Sequence, residues 1–303
     1  MRLKKDLIVI VGPTAIGKTS LAIQLARQFS TEIISADSRQ FFKEMEIGTA
    51  KPSPEELQAA KHHFINSHSI NTFFSTGDFE NEAINTLDLL FKQHDQVIMV
   101  GGSGLYINAV CYGLDDLPDT DLAIRAKLNE ILQHQGIEEI KRQLQQADPE
   151  YFAKVDQANP QRMVRGLEFF LSTGSKLSAH LTNSRKQRPF NIIKIGLHTE
   201  REKLYERINL RVDQMIGAGL VEEVKNLLPH RTLNALRTVG YSEIFDYLDG
   251  HSTLEHAISS IKQNTRRFAK RQLTWFRKDQ DTKWFEPDDY PKILAYLKER
   301  IFG

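Results

Sequence analysis

The spacing of hydrophobic residues changes along this chain, and the changes mark out its elements. "LIVIV" (Leu7 to Val11) is a continuous apolar run, followed by Gly12 and then, from about Gly17 to Ser30, by a stretch carrying Leu21, Ile23, Leu25 and Phe29. A short apolar run bounded by glycine predicts a buried strand, and the amphipathic stretch after it predicts a helix. The alternation repeats with the strand "TEIISAD", a helix from about Thr76 to His94, and the strand "QVIMVGGS". Strands that are apolar throughout and separated by helices predict an α/β fold: a mostly parallel sheet with helices on both faces and ligands beyond the strand C-termini. Asp37 and Ser103 fall at two such ends.

After "GLYINAVCYG" the turn-rich "LDDLPDTD" marks a boundary, and the pattern from Leu122 to about Ser184 is helical with no convincing strand. "RPFNIIKIGLHT" returns as a strand, and helices follow over about 201–215, 220–228, 236–248 and 253–278. The expected organisation is an α/β core in two pieces, residues 1–116 and 190–303, around an inserted helical subdomain at 117–189. In the last long helix Leu254, Ile258, Ile261, Phe268 and Trp275 form one apolar stripe. Lys262, Arg266, Arg267, Lys270, Arg271, Arg277 and Lys278 accompany it with no acidic residue between them. A basic run of this kind suits an RNA approach with salt-sensitive binding, although most such runs are simply solvated faces.

Composition narrows the classes. The 303 residues are 40% hydrophobic, enough for a sizeable core, and a formal net charge of +1 neither favours nor excludes a nucleic-acid partner. The lone Cys111 excludes an intrachain disulfide and a cysteine-rich zinc site and fits a reducing compartment. "MRLKKD" before "LIVIV" resembles the start of a signal peptide, but the apolar run is too short and ends in a glycine loop. No stretch approaches the ~20 apolar residues that cross a bilayer. The expectation is a cytoplasmic protein, a monomer, with no membrane partner.

The strongest chemical signal is "GPTAIGKT": Gly12, Pro13, Thr14, Ala15, Ile16, Gly17, Lys18 and Thr19 stand between a strand and a helix in the pattern of a phosphate-binding P-loop. In such a loop backbone N–H groups and the helix N-terminus cradle a phosphate chain, Lys18 supplies a point charge, and the Thr19 hydroxyl can ligate magnesium. The usual guest earns the loop an ATP-binding label. Yet "QVIMVGGS" ends in glycines and a serine where hydrolytic machinery needs an acid, and no Asn-Lys-x-Asp is present to read guanine. A phosphate cradle without hydrolytic partners suggests that the diphosphate is a leaving group. Asp37 then reads either as a helix cap or magnesium partner, or as a general base facing the phosphate loop. Beside it, Gln40 has the two-pronged amide that matches an adenine edge. Arg211 lies one helical turn after Ile208 and one before Met215, at the margin of the buried face, so it can point inward or form a surface ion pair.

"GPTAIGKT", "DSRQ" leading to "IGTAKP", "GGSGLYI", "QRMVRGLE", "RVDQM", "TVGYSE" and "TRRFAKRQLTWFRKD" follow one another in the order found in bacterial tRNA dimethylallyltransferases, and the chain resembles that family from about Leu7 to Lys278. The resemblance implies transfer of a dimethylallyl group from dimethylallyl diphosphate to N6 of the adenosine just 3′ of the anticodon, tRNA position 37, with magnesium assistance and release of diphosphate. It casts Asp37 as catalytic base, Arg211 as a second diphosphate ligand, and Ser103, at a position usually threonine, as a hydroxyl near the reacting centre. By the same resemblance the tRNA anticodon stem-loop meets Asp37, Ser38, Arg39, Gln40 and Ser103. It also meets Arg125, the segment Gln161, Arg162, Met163, Val164 and Arg165, and the segment Arg237, Thr238, Val239, Gly240 and Tyr241. The acceptor base must be extruded from its loop to be reached.

Two departures stand out. Phe42 has no hydroxyl where the family often has tyrosine, and Lys43 replaces an arginine and loses its planar fork. Three rivals remain: an adenylate isopentenyltransferase, which needs neither a large basic surface nor an inserted helical block; a P-loop small-molecule kinase with a helical lid; and a non-catalytic RNA-binding protein, which has no use for a base facing a phosphate cradle.

Overall fold

A computed structural model describes residues 5–182 and 184–303. The chain divides into two compact units, one running to Tyr112 and resuming at Gln187, the other spanning Gly113–Lys186. In chain order the first unit contains β1 (Asp6–Val11), α1 (Lys18–Gln28), β2 (Ile33–Ser35), α2 (Pro54–Ala59), β3 (His62–His63), α3 (Thr76–Leu90), β4 (Gln96–Val100) and α4 (Gly104–Tyr112). The second unit holds α5 (Leu122–Gln135), α6 (Ile137–Ala147), α7 (Pro149–Lys154), α8 (Pro160–Thr173) and α9 (Leu177–His180). The first unit then continues with β5 (Asn191–Leu197), α10 (Arg201–Gly217), α11 (Leu220–Asn226), α12 (Tyr241–Leu248), α13 (Leu254–Phe276), β6 (Lys283–Phe285) and α14 (Tyr290–Phe302).

The six strands form one sheet in the order β3-β2-β4-β1-β5-β6, and every pairing is parallel. Alternate residues of β1 serve opposite faces, as the strand period requires. Ile8 and Ile10 pack with α1, α10 and α14, whereas Leu7, Val9 and Val11 pack with α3 and α4. Both faces are therefore covered, which is why β1 reads as an unbroken apolar run. Polar side chains start the helices: capping boxes at Ser53 and Ser75 open α2 and α3, and Thr253 caps α13. A third cluster, from Phe41, Met45, Val212, Leu220, Tyr241 and Ile261, binds α10 to α13 together.

In the second unit Leu128, Ile140, Leu144, Met163, Val164 and Leu167 make a separate core. Asp148 caps α7 by accepting from the Tyr151 amide, and its carboxylate also accepts from the amide and hydroxyl of Ser178, tying α9 to α7.

The pattern reading omits α2, β3, α4, β6 and α14. β3 and β6 have two and three residues, too few for any period to show. The stripe predicted for α13 is also rotated: Ala257, Ile261, Ala269, Gln272 and Phe276 are buried, whereas Phe268 is 40% exposed. Small Ala257 and Ala269 let the helix pack closely, and Phe268 faces a cavity instead of the core. No helix among the described residues is long and apolar enough to cross a membrane.

Candidate active site

Three neighbouring strands, β2, β4 and β1, end side by side and deliver three segments to one edge of the sheet. The Ala36 amide donates to Val100 O at 2.7 Å, and the Gly101 amide to Ile10 O at 3.2 Å, carrying the strand register into the turns. After β1 the chain turns at Gly12, whose φ of +147° and whose approach to Leu197 O, 2.8 Å from where a Cβ would stand, admit no side chain. The loop ends at α1, which has no side-chain cap and no acid in its first turn. Its leading N–H groups are thus free for an anion. Lys18 Nζ donates to Pro13 O at 2.7 Å, and Arg207 Nη1 to Ile16 O at 3.2 Å. Arg211, on α10, reaches Thr14 Oγ1 at 3.5 Å.

After β2, Asp37 Oδ1 accepts from the Arg39 amide at 2.9 Å, and the Ser38 amide donates to Ser103 Oγ at 2.9 Å. The first bond closes the "DSRQ" turn on itself and the second holds it against the "GGS" turn. Two cavities open here, both walled by the first unit. One, of 840 Å³, is lined by Thr14, Ala15, Ile16, Gly17, Lys18 and Thr19 together with Asp37, Gln40 and Arg211. The other, of 230 Å³, is lined by Thr14, Asp37, Ser38, Arg39, Ser103, Arg211, Thr238, Val239 and Gly240. Asp37 and Arg211 face both.

The electrostatics of the site, with buried cations gathered around the loop, suit an anion. Enclosure of the ammonium, together with neighbouring Arg211, holds Lys18 down to about 7 against the pull of Asp37. Burial likewise lowers Arg211, partly offset by Glu56 and Asp37, and lowers Arg39, partly offset by Tyr106 and Asp37.

Several residues singled out from the sequence do other work. The Gln40 amide, expected to be free for an adenine edge, donates from Nε2 to Thr49 O and Ala50 O and accepts the Ser35 hydroxyl. Tyr241 is wholly buried, and its hydroxyl donates to Glu223 Oε1 at 2.6 Å, so its side chain reaches no RNA. Arg237, by contrast, is exposed. In the second unit Met163 and Val164 point into the core, which leaves Gln161 and Arg162 as the exposed members of that segment. Arg125 and Arg165 converge on Glu168, whose side chain has 0% exposure: Nη1 of Arg165 lies 3.3 Å and Nη1 of Arg125 3.6 Å from its Oε2. Phe42 packs edge-on against Phe41 at 4.5 Å, and Lys43 is exposed.

The site also contains residues that the sequence reading does not single out. Glu223 on α11 gathers the amides of Glu46, Ile47 and Gly48 as well as the Tyr241 hydroxyl, pinning a loop that lines both cavities. Gln272 on α13 bonds both the phosphate loop and the "GGS" turn. Its signal is a lone uncharged amide inside "RRFAKRQLTWFRK", three residues after Ala269 and four before Phe276 on the buried register.

Known proteins resemble this chain along nearly its whole length. Residues 40–279 match the family model described as IPP transferase. The chain is 55% identical over 296 residues to a tRNA dimethylallyltransferase of Christiangramia forsetii, covering 97% of this chain and 98% of the relative. It is 49% identical over 304 residues to one of Flavobacterium johnsoniae, covering 98% of each. Among solved structures it resembles a full-length tRNA isopentenylpyrophosphate transferase of Bacillus halodurans, with a TM-score of 0.71, 38% identity, and coverage of 98% of this chain and 96% of the other. A eukaryotic dimethylallyltransferase acting on tRNA aligns with a TM-score of 0.76 at 27% identity, over 98% of this chain and 77% of its own.

Proposed function

The chain belongs to the IPP transferase family, and from that premise we propose how its residues divide the reaction: the phosphate loop holds the diphosphate of dimethylallyl diphosphate, and Asp37 takes a proton from the N6 amine of a tRNA adenosine. The enzyme transfers a dimethylallyl group to tRNA. The adenosine is the one 3′ to the anticodon, position 37, flipped from its loop into the cavity beside Ser103.

One observation carries the assignment of the base. Three carboxylates line the 840 Å³ cavity, Asp37, Glu46 and Glu56. Glu46 pairs with Lys51 at 3.1 Å, and Glu56 closes the capping box of α2. Of the three, Asp37 alone also lines the smaller cavity beside Ser103, and its Oδ1 accepts from the Arg39 amide of its own turn.

As N6 attacks C1 of the donor, the N6–C1 bond forms, the C1–O bond breaks, and its electron pair leaves with diphosphate. The amine proton, acidified by the attack, passes to the Asp37 carboxylate. Lys18, the loop amides and Arg211 stabilise the charge that grows on the departing oxygen. Lys18 carries its proton most fully when the dianionic group sits beside it. The Ser103 hydroxyl holds the Asp37 turn in place through the Ser38 amide.

Magnesium fits this donor set. The Thr19 hydroxyl lies in the wall of the cavity that Asp37 also lines, and no cluster of three or more His, Cys, Asp or Glu occurs among the described residues. A hydroxyl supplemented by diphosphate oxygens and water suits Mg²⁺, which binds through substrate phosphates and keeps its waters. When bound, it neutralises charge on the leaving group.

The test is to incubate the protein with labelled dimethylallyl diphosphate, magnesium and unmodified tRNA bearing adenosines in the anticodon loop, with ATP in a parallel reaction. Label in gel-purified tRNA at position 37 is expected, and Asp37→Ala should lower kcat by ~10²–10⁴-fold. Phosphate transfer from ATP without prenylation would sink the reading.

A further inference from the structure

We propose that Gln272 is a positioning residue that sets the distance between the leaving-group cradle and the catalytic base. The proposal rests on the division of labour just given.

Gln272 is 5% exposed, and its Oε1 accepts from the Thr14 amide at 2.9 Å while its Nε2 donates to Gly102 O at 3.0 Å. Thr14 belongs to the phosphate loop. Gly102 adjoins Ser103, whose Oγ accepts from Ser38, next to Asp37. Thr14, Gln272, Gly102–Ser103 and Ser38–Asp37 thus form one chain of contacts from cradle to base. The ladder between β1 and β4 reaches only as far as the Gly101 amide on Ile10 O, and so stops short of Thr14 and Gly102.

The chemistry of the link admits few residues. It must accept from an N–H at one end and donate to a carbonyl at the other. A carboxylate only accepts, an ammonium only donates, and a thioether does neither well; a carboxamide of this length does both. Each partner is a main-chain group, so the side chain fixes backbone to backbone. Position 102 is kept bare for it: a Cβ there would stand 2.3 Å from Gln272 Nε2. Because the Thr14 amide is spent on Gln272, the cradle draws on the amides that follow it.

Loss of the link should therefore cost rate more than binding. Each turn keeps its own local bonds and can still hold its ligand, but attacking nitrogen, allylic carbon and base fall out of line, to which near-attack geometry is steeply sensitive.

The experiment measures steady-state prenylation of tRNA, Kd for diphosphate, and thermal midpoint for the unaltered protein, Gln272→Met, Gln272→Asn and Gly102→Ala. Gln272→Met and Gly102→Ala are each expected to lower kcat by about 30–100-fold, with both KM values and the diphosphate Kd changed by about threefold or less. Gln272→Asn is too short to span and should not rescue the rate. The double variant Gly102→Ala with Gln272→Met should be no slower than the slower single, because both changes break one link. If Gln272→Met fails to fold, Gly102→Ala and Gln272→Asn carry the test alone. Unchanged kcat, a loss that appears wholly in KM or in diphosphate Kd, or multiplicative effects in the double variant would overturn the proposal. Failure of the unaltered protein to prenylate tRNA would instead overturn the reading of the reaction, and is seen before any variant is made.

Discussion

The two compact units use arginine in opposite ways. In the first, Arg39 and Arg211 stand in cavity walls near Asp37, and neither forms a salt bridge among the described residues. In the second, Arg125 and Arg165 both close on the buried carboxylate of Glu168, which also accepts from the Thr120 hydroxyl at 3.0 Å. A charge withdrawn from water without a partner is costly, so a fold retains one where something else completes it. The first arrangement suits the anionic ligand proposed above. The second is self-sufficient and reads as framework, although the family resemblance implied RNA contact for Arg125 and Arg165 as it did for Arg39, with Arg211 cast as a diphosphate ligand.

The difference breaks most visibly at Glu168. Replacing it with alanine leaves two guanidinium groups facing an emptied site, and should cost about 3–5 kcal/mol of stability, the usual penalty for removing one partner of a buried pair. Denaturant unfolding is the measurement, with diphosphate binding expected to survive in native conditions. A loss below about 1 kcal/mol would show the cluster to be a surface network of little weight.

Arg211→Ala should behave in the reverse sense. With no salt bridge to break, the fold should lose little, but removal of a cation from the leaving group should lower kcat by ~10²–10³-fold. Arg211→Lys should recover part of that loss, since the charge remains while the planar fork does not. Equal falls in stability and rate would place Arg211 with the framework arginines.

Lys18 sharpens the same contrast through pH. Its pKa in the free protein lies near 7, lowered by burial and by Arg211, and a bound diphosphate favours the charged form. The sign follows: below about pH 7 Lys18 is already protonated and donor affinity is level. Above it each binding event must take up a proton, and affinity should fall toward tenfold per pH unit until the pKa of the bound state is passed. Titration of diphosphate binding between pH 6 and 9 checks this, with Lys18→Ala expected to abolish the slope beyond the ligand's own ionisation.

What was legible in the sequence follows from the same physics. β1, β4 and β5 are buried on both faces, so their apolar runs announce them, whereas β3 and β6 are short and need their neighbours to exist. The phosphate loop is legible because its conformation demands particular residues: Gly12 has no space for a side chain. Segment-level motifs are less informative, since they name stretches and not faces. "QRMVR" contains two residues directed into a core and one bound to Glu168, and "TVGY" ends in a tyrosine with no exposure. Gln272 and Glu223 escape notice for a related reason, because they bind backbone amides or carbonyls distant in the chain, which no local pattern encodes.

The smallest effect is expected on α13, where the paired and unpaired uses of charge occur within one basic run. Lys262 is bound to Asp213 at 2.8 Å, and Arg266 donates to Asn209 at 2.7 Å and lies over the Tyr205 ring, so these two tie α13 to α10. Lys270 and Arg271 are exposed, and Arg271 lies over Phe268, itself in the wall of both cavities. If this outer face meets RNA phosphates, Lys270→Ala should weaken tRNA binding by about two- to fivefold and reduce the slope of log affinity against log salt by about 1, with no change in diphosphate binding. Lys262→Ala should leave that slope unaltered and act, if at all, on stability by about 0.2–1 kcal/mol, as expected for an exposed pair. A salt slope that responds equally to both substitutions would mean that charge anywhere on α13 attracts RNA, and that the inward pairing of Lys262 and Arg266 does not separate framework from contact.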